Sequence, residues 1–292
     1  MKKIKENRTA SFIIVTLVYI LASALGIYLY SILNLDIWLT LLIADVCSTV
    51  FTFIFSLIFK NASVYDPYWS VQPIVILVAI AITVELNAYL ILLITVVLIW
   101  GIRLTANWAY TFENLNAQDW RYTMLKEKTG KFYPIINFVG IHLVPTLIVY
   151  ACTLPAVYAL YNAPNINAFG VIFICLSLFA VIIQGTADVQ MHKFKKDKKA
   201  GKINDAFIRV GLWKYARHPN YLGEILMWIG VGLSVVSVMP NMWYLIAGAI
   251  LNTLLFTFVS IPMAEGKQSK KEGYDEYKRQ TRALIPIYKK VK

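Results

Sequence analysis

Charged residues are scarce in this 292-residue chain, since Asp, Glu, Lys and Arg together make up only 15% of it. A soluble domain carries about 25%. Hydrophobic residues reach 59%, the mean hydropathy is +0.61, and the apolar residues form runs long enough for membrane helices. The alternation of apolar and polar residues that marks barrel strands is missing. Because only helices and closed barrels satisfy the backbone in lipid, we predict an all-α, polytopic integral membrane bundle.

Cysteine and histidine are also rare, with three of each. Cys47, Cys152 and Cys175 lie far apart in apolar runs and form no CxxC pattern. We therefore interpret them as small buried hydrophobic residues rather than as disulfide partners or metal ligands. With so few histidines, no metal site is predicted.

Eight apolar segments can be recognised, at 11–33, 37–59, 71–85, 87–103, 134–160, 168–187, 222–239 and 242–262. The third and fourth are the shortest, so about seven or eight transmembrane helices are expected, and six if those two form one re-entrant hairpin. We expect a single membrane domain over 1–292. Its N-terminal spans, 11–110, hold a candidate substrate site, and 134–292 hold a candidate cofactor site.

The basic residues predict the orientation of the chain. All 28 lysines and arginines lie in five stretches, namely the N-terminus, Lys60, Arg103–Lys131, Lys193–Arg217 and Lys267–Lys292. Under the positive-inside rule these stretches face the cytoplasm, so both termini are cytoplasmic and the number of spans is even. The N-terminal MKKIKENR precedes an apolar run too long for a cleaved signal peptide, and we interpret the run as a signal anchor that remains as span one.

The net charge of +12 is explained by a basic cytoplasmic face that meets anionic lipid. No nucleic-acid partner is expected, because the charges are spread over loops that flank the membrane and form no nucleic-acid-binding motif. The expected partners are the lipid bilayer and an apolar small molecule or lipid. The sequence leaves the oligomeric state open.

Polar residues are densest between 184 and 228. Asp188, His192 and Lys195 recur at i, i+4 and i+7, so one face of a continuing helix would carry all three. A lysine-rich connection follows, in which Gly201 and Gly211 are flexible points.

The stretch RHPNYLGE, from 217 to 224, opens the seventh apolar segment. Pro219 can start a helix, which places Arg217 and His218 at its N-terminus, where backbone N–H groups suit a phosphate. Hydrogen-bonding and flat side chains follow in the first turns, namely Asn220, Tyr221, Glu224 and Trp228. An ordinary basic loop accounts for the lysines but poorly for this density of functional groups.

A second polar cluster follows the last apolar segment and comprises Glu265, Tyr274, Tyr277, Arg279 and Arg282. A dinucleotide could be clamped between the two clusters, with its phosphates on Lys and Arg and its sugar hydroxyls on Asp and Glu. The alternative is a soluble basic tail. The closing ALIPIY favours a tail that folds back and docks apolar residues.

A third candidate is VYDPYWSVQP, from 64 to 73, ahead of the third segment. Asp66 lies beside Tyr65 and Tyr68, and a carboxyl next to phenols can hydrogen-bond a carbonyl or deliver a proton. Interface anchoring explains the aromatic residues equally well.

Three polar residues lie within apolar segments: Asp45, His142 and Asn252. Such residues are functional candidates by default, because burying them in a membrane is costly. We interpret these three as structural hydrogen-bond partners between helices.

From RHPNYLGEILMWIG onward, the chain resembles the steroid 5-alpha-reductase superfamily, and specifically its bacterial membrane relatives of undefined substrate. The shared features are a polar helix with an Asp, a basic connection, an N-Y-L-G-E motif followed by W-I-G, and a tyrosine-containing segment that closes with A-L-I-P. Asp188, Asn220, Trp228, Tyr277 and Ala283 mark those places here. The resemblance is good over roughly 184–292 and weaker over 60–130.

The resemblance implies a membrane enzyme that binds NADPH on the cytoplasmic side and reduces a carbon–carbon double bond conjugated to a carbonyl. It implies that Asp66 stands in place of the family's catalytic glutamate. Trp100 occupies the place of the family's tyrosine, so Tyr65 or Tyr68 would act instead. With the chemistry of the polar clusters, it gives a cofactor site of Asp188, His192, Lys195, Arg217, His218, Asn220, Tyr221, Glu224, Trp228, Glu265, Tyr277 and Arg282.

Departures from the family pattern argue against a steroid, and an apolar enone or unsaturated lipid is expected instead. The main alternative is an S-adenosylmethionine-dependent methyltransferase of the isoprenylcysteine carboxyl type, which shares the R-H-P-x-Y-x-G core. Asn220 and Glu224 favour the reductase. A transporter or lipid-binding protein would predict a polar path across the whole membrane, whereas the polar clusters lie on one side. The expected location is a bacterial plasma membrane, with the cofactor site facing the cytoplasm.

Overall fold

The computed structural model describes residues 2–286 of the chain. Within these residues it contains helices and connecting turns but no strand, and its one isolated β-bridge pairs Ala216 with Arg282 in parallel. The predicted all-α class is therefore confirmed.

Eight helices in the described residues are long and apolar enough to cross a membrane. The eight are α1 (Arg8–Ile32), α2 (Ile37–Phe59), α3 (Ala62–Ala81), α4 (Ala88–Thr111), α5 (Trp120–Asn162), α6 (Ala168–Lys199), α7 (Pro219–Val238) and α8 (Pro240–Gln268). A short helix, Lys2–Glu6, precedes α1. A ninth helix, α9 (Tyr274–Gln280), follows the last of them. The third and fourth segments are separate helices of 20 and 24 residues, so each is long enough to cross a membrane.

The largest difference from the predicted segments is the start of α3. It begins at Ala62, nine residues before the predicted 71, with a 3₁₀ turn capped by the Asn61 side chain, whose oxygen accepts from Ser63 N at 2.9 Å. A polar and aromatic sequence can begin a helix where other segments of the same chain bury it. The motif around Asp66 therefore lies in the first turns of a helix and not in a loop ahead of one.

Asparagine side chains fix the start of three of the long helices. Asn7, Asn87 and Asn167 each accept a hydrogen bond from the backbone N–H three residues on, at 2.7–3.0 Å. An N-cap of this kind satisfies one of the N–H groups that the first turn leaves without a partner, and it contributes about 1 kcal/mol. Pro219 lies at the start of α7, as predicted.

The chain divides into two compact units, Met1–Asn165 and Ile166–Lys292. Helix α5 belongs to the N-terminal unit, which extends the first group of spans well beyond residue 110. Small residues bring its helices together: Ser48 of α2 donates to Ala22 O of α1 at 2.9 Å, and a Cβ on Gly26 would lie 2.8 Å from the Ser48 hydroxyl. Such contacts bind helices in lipid, where apolar surface alone gives no drive to associate.

The C-terminal unit is built on the packing of α7 against α6. A Cβ at Gly223 would lie 2.7 Å from Ala180 O, and one at Gly230 would lie 2.2 Å from the Ser177 hydroxyl. The Ser177 hydroxyl in turn donates to Met227 O at 3.0 Å. The two glycines, seven residues apart, thus allow the two backbones to approach closely.

Large apolar side chains cover the outside of both units, as expected of lipid-facing helices; Ile20, Ile102 and Phe179 are more than half exposed. The cysteines only partly follow their predicted burial. Cys152 is buried, Cys47 is intermediate and Cys175 is exposed on α6. The prediction was wrong for Cys175, because an apolar run in a membrane helix faces lipid as readily as protein.

Gly230→Ala should destabilise the protein by about 2 kcal/mol, because the added methyl must displace the Ser177 hydroxyl and the backbone of α6. The measurement is thermal unfolding in detergent. Gly266→Ala is the control, since nothing lies within 4 Å of a Cβ at that helical position. Equal stability of the two variants would contradict the proposed close approach of α6 and α7.

Candidate functional site

The N-terminal unit contains a buried carboxyl–phenol pair. The Tyr68 hydroxyl at the start of α3 donates to the Asp45 carboxylate in the middle of α2 at 2.9 Å, and it lies 3.0 Å from the Asp45 backbone oxygen. Asp45 is 3% exposed and Tyr68 is 1% exposed. Gln72, one turn after Tyr68, also hydrogen-bonds to the carboxyl. A carboxyl this deep is held in place entirely by protein groups.

Two clefts share Asp45 and Gln72 in their walls. One is lined by Asp45, Tyr68 and Gln72 together with Thr146 and Tyr150 of α5. The other has apolar walls from α1, α2 and α3 and reaches the same Asp45 and Gln72. The two clefts span about 190 and 330 Å³, a volume that includes open solvent, so neither is a closed cavity of that size. A carbonyl or hydroxyl at the end of an apolar molecule is the kind of group that such polar ends of apolar clefts can hold.

Tyr65 continues the polar core on the other side of Tyr68. The two rings stack with centroids 5.2 Å apart, and the Tyr65 hydroxyl is 2.8 Å from the Thr146 hydroxyl. Thr146 also lies 2.9 Å from Thr49. Tyr65 and Tyr68, the two tyrosines predicted to act with Asp66, thus stack on each other, and each hydroxyl has its own partner.

Asp66 lies apart from that core. Its carboxylate accepts from the Tyr122 hydroxyl of α5 at 2.7 Å, and the side chain is only partly buried. The structure therefore contains two carboxyl–phenol pairs where the sequence suggests one, and neither joins Asp66 to Tyr65 or Tyr68.

The sequence indicated a structural role for Asp45 and gave no role to Tyr122 or Thr146. These residues are 23 or more positions away from their partners. The available signal was the polarity of Asp45 inside an apolar segment, and only the packing of α2 against α3 identifies the tyrosine it meets.

The centre of the C-terminal unit is an ion cluster around Glu265 of α8. Arg217 donates to Glu265 Oε1 through Nε at 2.8 Å and through Nη2 at 2.6 Å, and Lys278 of α9 reaches Oε2 at 2.8 Å. The third guanidinium nitrogen of Arg217 donates to the backbone oxygens of Lys278 and Thr281. A phosphate at Arg217 would have to compete with all of these partners.

Backbone hydrogen bonds also join the start of α7 to the C-terminal tail. Arg217 N donates to Arg282 O, and His218 N donates to Ala283 O, both at 2.9 Å. The tail folds back, as predicted, but it docks through its main chain: Ile285 is 55% exposed, and the final Tyr288 lies outside the described residues. Arg282 contributes its backbone here, while its side chain is exposed.

The residues that follow Arg217 form the start of α7. The His218 ring stacks on the Tyr221 ring with centroids 5.2 Å apart and planes 7° apart, and His218 Nε2 lies 3.4 Å from Glu265. The Asn220 side-chain oxygen is buried without a hydrogen-bond partner in the described part of the chain, and the same holds for the Gln268 side-chain oxygen. Two buried acceptors near the helix start fit a ligand that brings hydroxyl or amide donors.

Glu224 and Trp228 lie deeper in the unit. The Glu224 carboxylate accepts from Gln184 at 2.6 Å and from the Trp228 indole at 3.0 Å, and Glu224 is 1% exposed. Both carboxylate oxygens are thus engaged with protein. This arrangement is suited to holding α6 and α7 in register, and contact of Glu224 with a cofactor stays a prediction.

Several lysines lie close together near the C-terminal end of α6. Lys271, after α8, lies in the field of Lys195 and Lys198 at the end of α6 and of Lys267 on α8; partial burial and these positive neighbours lower the pKa of Lys271. His192 and Asp188 lie one and two turns before Lys195 on the same helix. The result is a local concentration of positive charge at this end of the unit.

Two buried tyrosines of α9, Tyr274 and Tyr277, lie near Glu265. The Tyr277 hydroxyl donates to Trp213 O, and burial raises the pKa of Tyr277. Burial, with Glu265 nearby, raises the pKa of Tyr274 to about 12. Both phenols therefore stay neutral at ordinary pH and act as hydrogen-bonding packing groups. Arg279 pairs with Glu276 at the surface, away from the cluster.

Glu265→Gln should destabilise the C-terminal unit by about 3 kcal/mol, because it leaves the buried Arg217 without its counter-charge. Thermal unfolding and the rate of tryptic cleavage after residues 278–282 measure the effect. Glu276→Gln removes an equally charged but exposed pair and should change little. If both variants behave alike, Glu265 does not hold the tail.

Comparison with known proteins gives one family and one curated relative. An uncharacterized protein of Schizosaccharomyces pombe is 28% identical over 154 residues, which are 45% of this chain and 44% of that protein. The chain thus spans less than half the length of this relative. No solved structure matches. The family model described as "Protein of unknown function (DUF1295)" matches residues 52–281, most of the chain, and the protein belongs to this family.

Proposed function

We propose that this chain is a membrane-embedded, NADPH-dependent reductase of a carbon–carbon double bond conjugated to a carbonyl, acting on an apolar enone or unsaturated lipid. The observation that carries the proposal is the buried Asp45–Tyr68 pair, whose carboxyl lines two clefts and whose phenol lines the first of them. The resemblance to steroid 5-alpha-reductases supports the same reaction.

The chemistry that this pair can perform follows from its hydrogen bonds. Tyr68 has one proton to donate, and an ionised Asp45 holds that proton. When Asp45 is protonated, its carboxyl group would donate to the Tyr68 oxygen, and the Tyr68 proton would pass to a substrate carbonyl as negative charge develops on the carbonyl oxygen. The apolar walls exclude water, so each such hydrogen bond is worth more than it would be in water. NADPH, when bound, supplies the hydride.

The C-terminal unit favours NADPH over S-adenosylmethionine as the cofactor. NADPH carries three phosphate groups, whereas S-adenosylmethionine carries a sulfonium cation. Lys271 and its three lysine neighbours repel one another, and a polyphosphate relieves that repulsion while a cation increases it. The unpaired acceptors of Asn220 and Gln268 also fit the sugar hydroxyls of a nucleotide.

The distribution of basic residues supports cytoplasmic termini and a cytoplasmic-facing cofactor site. With eight spans, the C-terminal end of α8 would lie on the same side of the membrane as the N-terminal end of α1. The loops after α1, α3, α5 and α7 carry no lysine or arginine. The lysines around Lys271 lie in stretches that this orientation places in the cytoplasm, where NADPH is found. A bacterial plasma membrane remains part of the proposal.

The cofactor proposal predicts that the purified chain binds NADPH more tightly than S-adenosylmethionine in calorimetry. Lys271→Gln should weaken NADPH binding about tenfold, because it removes one charge-assisted contact. Lys131→Gln, which neutralises an exposed lysine of the other unit, is the matched control. Binding of S-adenosylmethionine alone would move the protein to the methyltransferase class, and binding of neither by folded protein would favour a non-enzymatic role.

The substrate proposal predicts which carboxyl is needed for turnover of an enone identified by NADPH oxidation in a screen of apolar cyclic enones. Asp45→Asn and Tyr68→Phe should each lower kcat about 100-fold or more. Asp66→Asn and Tyr122→Phe remove the other carboxyl–phenol pair and should change kcat only a few-fold. A loss confined to the Asp66 variant would return the catalytic role to Asp66, as the sequence predicted.

A further inference from the structure

The second cleft of the N-terminal unit is a groove with a buried floor and an exposed rim. Leu41 and Ala44 of α2 and Ile80 of α3 are buried in its floor. On its rim, Ile27 of α1 is 46% exposed and Ala79 of α3 is partly exposed. A molecule dissolved in the bilayer can therefore reach the floor from the side, between α1 and α3.

Close packing of three helices shuts one end of the groove. A Cβ on Gly26 of α1 would lie 2.8 Å from the Ser48 hydroxyl of α2 and 3.7 Å from Gln72 Nε2 of α3. Next to this contact, the Tyr19 and Tyr68 rings meet edge to face with their centroids 6.1 Å apart. The groove therefore narrows towards Gln72 and ends there.

From its closed end the groove leads along α3. It extends from Gln72 to Ile80, a rise of about 12 Å along the helix axis. Its other walls come from the last turns of α1 and the early turns of α2, on either side of the turn at 33–36. The Tyr30 hydroxyl in this wall lies 2.6 Å from the Tyr161 hydroxyl of α5, and the rest of the wall beyond the closed end is apolar. An extended apolar chain in the groove would contact three helices.

The polar groups at the closed end lie deep in the membrane-spanning part of the unit. Asp45 of α2 and Gln72 of α3 are each about 12 Å or more from the nearer end of their helix. A charged group is costly at such a depth, so the group that a ligand places there has to be neutral. The Gln72 amide offers both donors and an acceptor, which suit a carbonyl or a hydroxyl.

We propose that this groove binds the single straight apolar chain of a neutral carbonyl lipid. The carbonyl end lies at Asp45 and Gln72, which also line the first cleft, and the chain runs towards Ile80. Because the helices converge at the closed end, fused rings would have to push them apart, whereas a straight chain follows the groove. The identification of the carbonyl as part of an enone rests on the proposed function, while the preference for a neutral chain rests on the groove alone.

Ala79 is the residue that sets how bulky a chain the groove accepts. Its methyl group lines the groove at the rim, two turns beyond Gln72. A phenyl group at this position would fill the groove without touching the polar end. Val78, the preceding residue, is 41% exposed and is not part of the wall, so the same substitution there provides a matched control.

Photolabelling of the full chain tests where the ligand lies. The probe is methyl nonyl ketone with a diazirine near the end of its chain, in nanodiscs of uncharged phosphatidylcholine, and mass spectrometry of the peptides locates the label. We expect the label on the groove residues far from the carbonyl, namely Tyr30, Leu41, Ala79 or Ile80. Label spread evenly over the lipid-facing helices, Ile102 and Phe179 included, would overturn the proposal.

Variants and competitors test the shape and the charge of the ligand. Ala79→Phe should lower the labelling of Tyr30 and Leu41 about tenfold, because the chain loses its buried contact area, and Val78→Phe should leave it unchanged. Unlabelled methyl nonyl ketone should compete with the probe. Nonyl sulfonate, which has the same chain and a charge, and a decalone, which has two fused rings, should not. Equal competition by either compound contradicts the proposed ligand class, and the label map of the unaltered chain decides the location if Ala79→Phe does not fold.

Turnover separates this proposal from the proposed function. Label confined to the groove, together with no NADPH oxidation by any chain-bearing enone, would refute the reductase and leave the groove as a lipid-binding site. Turnover of such an enone without label in the groove would refute the groove and leave the reductase.

Discussion

The buried carboxylates of this apolar bundle each have a partner in another segment of the chain, and that pairing organises both units. A carboxyl among lipid-facing helices cannot rely on water, and leaving it unpaired costs several kcal/mol. Asp45 meets Tyr68 and Gln72 in the N-terminal unit, and Glu265 meets Arg217 and Lys278 in the C-terminal unit. Each carboxyl connects helices that are far apart in sequence, so the packing of the helices and the chemistry of the site have the same cause.

The close contacts between helices follow from the same requirement. Hydrogen bonds across helices need short backbone separations, and glycine or serine at the contact permits them. Ser48 bonds across to α1 where Gly26 leaves room, and Ser177 bonds across to α7 beside Gly230. The polar side chains and the small residues beside them therefore act together, and a methyl group added at the contact weakens both.

The sequence predicts the number and nature of the long helices well, because a run of apolar residues is a local property. It predicts the start of α7 at Pro219 for the same reason. It fails for the start of α3, since Asp66 and its aromatic neighbours are polar enough to suggest a loop, and only the surrounding chain makes them helical. Which carboxyl meets which tyrosine depends on packing over 23 residues or more, and no spacing rule gives that.

The C-terminal motif shows a different limit. Arg217, Glu224 and Glu265 were correctly recognised as unusual, yet the structure pairs each of them with protein groups. Their charge is then largely neutralised, so under the proposed function an anion would chiefly meet the field of Lys271 and its lysine neighbours. Of these lysines, only Lys195 was predicted from the sequence as a cofactor residue. A polar motif can thus be essential for a binding site by fixing the helices that carry it, while less conspicuous residues provide the charge that the ligand meets.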